Sequence, residues 1–307
     1  MPDPSGRLDA LRAKWVAVEP PQRPVLLINP RSGDGKAARA GLAERARERG
    51  IETIVLEPDN DLDATVVETL DRGADALGMA GGDGSLAPVA AAAAERGVPF
   101  ICIPAGTRNH FALDLGVARP DLVGALDAFG DGLERRVDMA EVNDRPFLNN
   151  VSLGVYGEAV GDPGYRDAKT RTILETFHAV LSSTTPGPGM AVTDDVGRTH
   201  DSPLVVLVSN NEYALEQPFV RGTRPRLDSG RLGVVVLDRT GLEHPVSGWN
   251  ARTLEVSAPA PLPAGVDGES VMLLPPILFA ARPAVLRVRI SRNHPGVSPS
   301  GLLSARR

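Results

Sequence analysis

Met79-Ala80-Gly81-Gly82-Asp83-Gly84-Ser85 decides the fold. It follows an apolar strand predicted over 75–80 and opens an alanine-rich helix predicted over Leu86 to Arg96. Gly81, Gly82 and Gly84 let backbone N–H groups approach an anion closely, and the helix that follows points its positive end at the same spot. Asp83 sits among them, where a bare carboxylate repels phosphate. Its presence fits a cation bridging the two, or a carboxylate that handles a proton.

Two further loops share this design. Ile103-Pro104-Ala105-Gly106-Thr107-Arg108-Asn109-His110 ends an apolar strand predicted over 98–103, and Asn29-Pro30-Arg31-Ser32-Gly33 ends another over Val25 to Ile28. Three polar, glycine-bearing loops thus lie at the carboxyl ends of three apolar strands, where open α/β sheets bind ligands. Strands and helices alternate through this region: a helix over Lys36–Arg49, a strand over Ile51–Leu56, helices over Leu62–Arg72 and Arg119–Phe129. That alternation predicts a doubly wound parallel sheet. From about Asp138 the pattern changes to short β segments: Arg135–Val142, Phe147–Leu153, Leu204–Ser209, Leu232–Leu237, Arg252–Ser257, Ser270–Leu274 and Val285–Ile290, interrupted by one helix over Lys169–Ser182. The fold class is therefore α/β in two domains, a doubly wound parallel-sheet domain over 23–137 and a mainly antiparallel β domain over 138–283. Segments 1–22, with a short helix over Leu8–Val18, and 293–307 are expected to be flexible, and Gly197–Asp201 and Pro259–Ala264 to be loops.

Asn29-Pro30-x-Ser32-Gly33, Gly81-Gly82-Asp83-Gly84-Ser85 and Pro104-x-Gly106-Thr107-x-Asn109 together resemble the catalytic domain of the diacylglycerol kinase family, whose superfamily includes sphingoid-base, ceramide and NAD kinases. The resemblance implies an ATP-dependent lipid kinase with Mg²⁺, acting on the hydroxyl of a diacylglycerol-like lipid. It also implies that the last strand, 284–292, returns to the first domain. Asn29, Ser32, Gly33, Gly81, Gly82, Asp83, Gly84, Ser85, Gly106, Thr107 and Asn109 would bind the nucleotide, with Asp83 also serving the metal. Val266-Asp267-Gly268-Glu269 is a hairpin turn by its residues alone; by resemblance Glu269 is the base for the lipid hydroxyl, placed by Asp267. Phosphoryl transfer needs charge neutralisation, alignment and a modest base, which these residue types supply.

The chain departs from the family pattern in three places. Leu86-Ala87-Pro88 follows the glycine loop in place of Leu-Asn-Glu, and Glu57 stands where Thr is common. The Asp-Asp-Gly-x-Leu metal motif appears as Asp228-Ser229-Gly230-Arg231-Leu232. Arg221, Arg224, Arg226 and Arg231 form a basic loop, either phosphate-holding or simply solvated. The alternatives are a kinase for a sphingoid base or another hydroxyl, and a non-catalytic nucleotide or lipid binder.

With 307 residues, 42% hydrophobic, the chain has room for two cores, and a formal charge of −6 argues against nucleic acid as partner. Its single cysteine, Cys102, fits a small core residue in a reducing compartment. No apolar run approaches the ~20 residues that span a bilayer, so a cytoplasmic protein is expected. Six arginines and no acid follow Ser270, leaving 27 basic against 39 acidic residues elsewhere. Arg287 and Arg289 alternate with Leu286, Val288 and Ile290, which suggests a basic strand face for transient contact with an anionic membrane. A lipid substrate is the expected partner, and homodimer formation is left open.

Overall fold

The computed structural model describes residues 12–154, 189–214, 223–237 and 246–305. The helix expected over Lys169–Ser182 lies outside them, as does Arg221. The chain divides into two compact units: unit 1 holds residues up to Val137 with Thr223–Asp228 and Ala284 onward, and unit 2 holds Asp138–Gly222 with Ser229–Pro283.

Unit 1 contains β1 (Val16–Ala17), β2 (Pro24–Ile28), β3 (Glu52–Val55), β4 (Ala76–Ala80), β5 (Phe100–Ile103) and most of β6 up to Val137 (Gly132–Val142). β2, β4 and β5 are buried at every position, as continuous apolar runs should be when helices cover both faces of a parallel sheet. β2 pairs in parallel with β3 on one side and β4 on the other, and β4 pairs with β5. The strand order therefore reverses between β2 and β4, the switch point at which open sheets bind ligands. Within β4, Gly78 has no side chain because Phe129 fills its place: a Cβ there would lie 2.3 Å from the ring.

Local chemistry explains most differences from the expected elements. The helix expected over Lys36–Arg49 is two pieces, Lys36–Arg39 and Leu42–Arg47, because Gly41 between them is left-handed at φ 58°. The helix expected from Leu86 starts at Asp83, capped by the extended Gly82, so Gly84 and Ser85 belong to its first turn. The region expected as a helix over Arg119–Phe129 holds a 3-10 turn at Gly124–Phe129.

Neither end of the chain is loose where it is described. Val16 and Ala17, at the end of the expected Leu8–Val18 helix, form β1 against Glu134 and Leu133, and residues 8–11 lie outside the described residues. Trp15 is buried, donates its indole N–H to Gly296 O at 2.7 Å and carries the Arg135 guanidinium 4.6 Å above its ring. Burial lowers the pKa of Arg135 to about 10. Residues 293–305 are likewise packed: Val297, Ser298 and Ser300 are buried, and Pro299–Ala305 is a helix. Ser298 caps it through Gly301 N–H and donates to Arg224 O.

Unit 2 contains β7 (Arg145–Phe147), β8 (Asn150–Gly154), β9 (Ala191–Asp194), β10 (Thr199–Asp201), β11 (Val205–Asn210), β12 (Leu232–Leu237), β13 (Val246–Ala251), β14 (Thr253–Ser257), β15 (Leu262–Val266), β16 (Glu269–Leu273) and the first half of β17 (Ile277–Ser291). One antiparallel sheet runs β13-β12-β11-β8-β15-β16, and β10-β9-β14-β17 forms a second antiparallel run. Val151, Val208, Val256, Ile277 and Phe279 share one core, in which Phe147 meets Phe279 edge-to-face at 6.4 Å. The loops expected at Gly197–Asp201 and Pro259–Ala264 contribute β10 and part of β15. Pro263 is tolerated because the pairing of β15 with β8 begins only at Ala264, so no ladder donor is lost there.

β17 is far longer than the expected Val285–Ile290. Pro283 and Ala284, the latter at φ 52°, interrupt its pattern, and the division between units falls between them. Beyond that point Val288 and Arg289 pair in parallel with Phe100 and Ile101 of β5.

Arg287 and Arg289 do not form the basic face read from their alternation. Both bind Glu134, at 2.7 and 2.8 Å, and Arg289 is only 8% exposed. Burial works to raise the Glu134 carboxyl, but hydrogen bonds from Arg287 and Arg289, with their charges, outweigh it and hold the group below its usual value. A depressed carboxyl contributes stability above its unfolded pKa and loses it as pH falls through the folded one. Glu134→Gln should therefore cost about 1–3 kcal/mol at pH 7, with the gap to the parent closing below about pH 4. Urea unfolding at both pH values checks this; equal stability at pH 7 would refute it.

Candidate active site

At the switch point of unit 1 the three glycine-bearing loops meet as predicted. Asn29 N–H donates to Ala80 O at 2.9 Å, tying the first loop to the end of β4. Ser32 Oγ accepts from Gly82 N–H at 3.2 Å. Gly33 is left-handed at φ 56°, and a Cβ there would stand 2.3 Å from Ala105 O. A Cβ on Gly106 would stand 2.4 Å from Gly82 Cα, so the second and third loops touch backbone to backbone. Asn109, itself left-handed at φ 53°, braces the contact by accepting from Gly106 N–H and donating to Gly106 O, both at 2.8 Å. Ser85 Oγ donates to Gly82 O at 3.0 Å, while Thr107 and Arg108 are exposed at the tip of the third loop.

Lys36 was not among the predicted site residues, yet its ammonium donates to Gly106 O at 2.9 Å and joins the first loop to the third. The available signal is a lysine directly after Gly33-x-Gly35.

Asp83 lies where the loops converge, as the first helical residue after Gly82. Its two oxygens accept from His110 and Phe111 N–H, each at 3.2 Å, which fastens the second loop to the helix following the third. Each carboxylate oxygen has a second lone pair, so this bracing is compatible with a further partner. Behind the loops, burial first and the nearby Asp83 charge second push the Cys102 thiol far up, leaving a neutral core residue.

The second group of predicted residues lies in unit 2. Asp267 and Gly268 are the two central residues of the β15–β16 hairpin, both left-handed at φ 47° and 88°, as a type I′ turn requires. Asp267 is 8% exposed and accepts from three successive amides, Leu148 and Asn149 at 2.8 Å and Asn150 at 3.1 Å. It fixes the loop leading into β8. Glu269, by contrast, has a side chain 53% exposed and is met by Arg145 Nη2 at 2.9 Å. No sequence signal linked Arg145 to it. Asn150 Nδ2 donates to Tyr213 at 2.8 Å, and Asn211 Oδ1 accepts from the amide and hydroxyl of Ser229 at 2.8 and 2.6 Å.

Two arginines of the basic loop, Arg224 and Arg226, are committed to carboxylates. Arg224 is fully buried, its Nε 2.7 Å from the equally buried Asp114 carboxylate and its N–H 2.8 Å from the other oxygen. Burial raises the Asp114 carboxyl, and Arg224 offsets part of the rise. Arg226 and Lys14 both bind Asp228. Burial alone would raise the Asp228 carboxyl, and these two partners hold it low. Cations of the chain therefore occupy the altered metal motif. Among the described residues no group of three His, Cys, Asp or Glu could hold a metal ion.

Residues 23–142 match the model of the diacylglycerol kinase catalytic domain. Over that stretch the chain is similar to the diacylglycerol kinase family. It is 29% identical to the "Probable lipid kinase YegS-like" of Pseudomonas aeruginosa across 88% of this chain and 95% of that one. It is 33% identical to the protein of the same description from Cronobacter sakazakii over 44% of this chain and 46% of that one. A diacylglycerol kinase of Mycobacterium tuberculosis is 30% identical over 38% of this chain and 40% of that one. The matched stretches thus span less than half of these last two relatives. A crystal structure of a diacylglycerol kinase from Bacillus anthracis superposes with a TM-score of 0.65 over 89% of this chain and 98% of that one, at 18% identity, a likeness of fold.

Two substitutions test the loop junction. Gly106→Ala inserts a methyl against the Gly82 backbone and should cost about 1–3 kcal/mol of stability, as overpacking does. Asp83→Asn turns an amide donor toward one of the two N–H groups, which should cost about 1–3 kcal/mol through one unmet donor. Urea unfolding measures both; a parent-like midpoint in either would dissolve the corresponding contact.

Proposed function

We propose that the protein is an ATP-dependent lipid kinase that moves the γ-phosphoryl group to the hydroxyl of a diacylglycerol-like lipid. The observation that carries this is the convergence of three glycine-bearing loops at the switch point, where side-chain-free backbone and the positive end of the Asp83–Glu95 helix suit a polyphosphate. The match of residues 23–142 to the diacylglycerol kinase catalytic-domain model and relatives described as lipid kinases support the same chemistry. Mg²⁺ fits the residues present in one way: Asp83 is the carboxylate that would hold it alongside substrate phosphates and waters, as Mg²⁺ commonly binds. Bound there, it would neutralise charge on the transferring group.

Asn29, Ser32, Gly33, Gly81, Gly82, Gly84, Ser85, Gly106, Thr107 and Asn109 shape the donor side. On the acceptor side, Glu269 takes the proton of the lipid hydroxyl. The hydroxyl oxygen bonds to the γ-phosphorus as the bond to the β–γ bridging oxygen breaks, releasing ADP. Asp267 is a positioning residue: it holds the turn that carries Glu269 and the loop at Asn149–Asn150. Arg145 fixes the Glu269 carboxylate before substrate arrives.

Labelled ATP incubated with a total lipid extract, then with defined diacylglycerol, ceramide and sphingoid base, tests the activity. A labelled diacylglycerol product is expected; no labelled lipid of any kind would refute it. Glu269→Gln should lower kcat by about 10²-fold, as loss of a general base does, while ATP affinity stays within a few-fold. Unchanged kcat would remove Glu269 from the chemistry.

A further inference from the structure

Beside the loop junction, Lys36, Arg39, Arg119 and Asp121 line a hollow of about 420 Å³ in unit 1. Lys36, Arg39 and Arg119 have no carboxylate partner, in contrast to Arg96, Arg287 and Arg292 of the same unit. Each is instead aimed by a main-chain carbonyl of the site loops. Lys36 donates to Gly106 O at 2.9 Å, Arg39 to Asp34 O and, at 3.4 Å, to Gly33 O, and Arg119 to Arg108 O at 2.9 Å. A guanidinium has five N–H donors. Arg39 spends two and Arg119 one, so both forks retain donors for a ligand. The single acidic lining group, Asp121, accepts from Gly124 N–H at 2.8 Å and lies 3.4 Å from the His294 ring. Arg31 and Arg108, on the first and third loops, are also without a carboxylate partner.

We propose that this hollow is an anion-binding subsite that takes the polyphosphate end of the donor nucleotide, with Arg39 and Arg119 as its specificity-determining residues. Three cations against one carboxylate leave a net positive basin in a chain of net charge −6, and unpaired cations in an acidic protein concentrate anions locally. Guanidinium forks match phosphate oxygens two at a time. The volume lies within the range of small-ligand sites, about 300–1,000 Å³. Lys36 and Arg39 reach the carbonyls of Gly33 and Gly106, the glycines that the donor role proposed above already uses. The identity of the anion rests on that role; its binding does not.

Calorimetry with inorganic tripolyphosphate and with ATP, on the parent and on Arg39→Gln/Arg119→Gln, decides the matter. Both side chains are exposed, so the double variant should unfold with a parent-like midpoint. It is expected to bind tripolyphosphate and ATP at least about tenfold more weakly, the loss of one charge-assisted hydrogen bond or more, with Arg39→Lys/Arg119→Lys in between. Equal affinity of parent and double variant for tripolyphosphate overturns the subsite, whatever happens to turnover. If the parent binds tripolyphosphate through these arginines but not ATP, the subsite holds and the nucleotide-donor role falls. If the parent binds neither, both fall.

Discussion

Gly82 and Gly106 lie so close that any side chain on Gly106 would enter the Gly82 backbone. That contact between two strand-end loops organises the N-terminal site. It brings Gly82 N–H to the Ser32 hydroxyl, and it leaves both polar backbone atoms of Gly106 bound by Asn109. Lys36 then ties the first loop to the third through Gly106 O. The contact is possible because β4 and β5 are parallel neighbours in register, Ala80 beside Ile103, so their following loops leave the sheet at the same level. Glycine at position 106 is thus a packing requirement, whereas a Cβ on Gly82 would meet Gly106 Cα only at an ordinary 3.8 Å.

The two aspartates expected to be catalytic share a structural device. Asp83 and Asp267 each accept from successive backbone amides of a different loop, two for Asp83 and three for Asp267. A buried carboxylate is costly unless hydrogen bonds compensate, and amide donors do so without adding charge. Glu269 is built differently, exposed and met by one arginine. It is the carboxylate of the hairpin that an outside hydroxyl can reach. Burial separates the two: Asp267 is committed to backbone amides, and Glu269 faces solvent.

Much of this was legible in the sequence, for physical reasons that differ by element. Continuous apolar runs named β2, β4 and β5, because strands buried on both faces carry little else. The glycine loops were legible because close approach and left-handed φ demand glycine. The Asp267-Gly268 pair was legible as a hairpin turn, because a two-residue turn with left-handed φ favours Asp-Gly. Signals were also present and passed over: Ser298-Pro299 is a capping residue followed by proline at the first helical position, and Leu262-x-Ala264-x-Val266 alternates as a strand should. Nothing in the sequence revealed that Thr223–Asp228 belongs with unit 1, because that depends on the buried meeting of Arg224 with Asp114, 110 residues away.

Charge shows most clearly why pairing cannot be counted from composition. The acid-free tail looks like the positive region of the chain, but its described arginines are mostly committed: Arg287 and Arg289 to Glu134, Arg292 to Asp131, Arg282 to Glu141. The loops around the glycine junction carry fewer basic residues, and Asp34 and Asp83 stand among them. Even so, Arg31, Lys36, Arg39, Arg108 and Arg119 find no carboxylate. An ion pair cancels most of the field its members would cast, whereas a cation bound only to a carbonyl keeps its full charge. The field that an approaching polyanion meets is therefore set by which cations stay unpaired. By that measure the loops after β2 and β5 gather unpaired cations in an otherwise acidic chain.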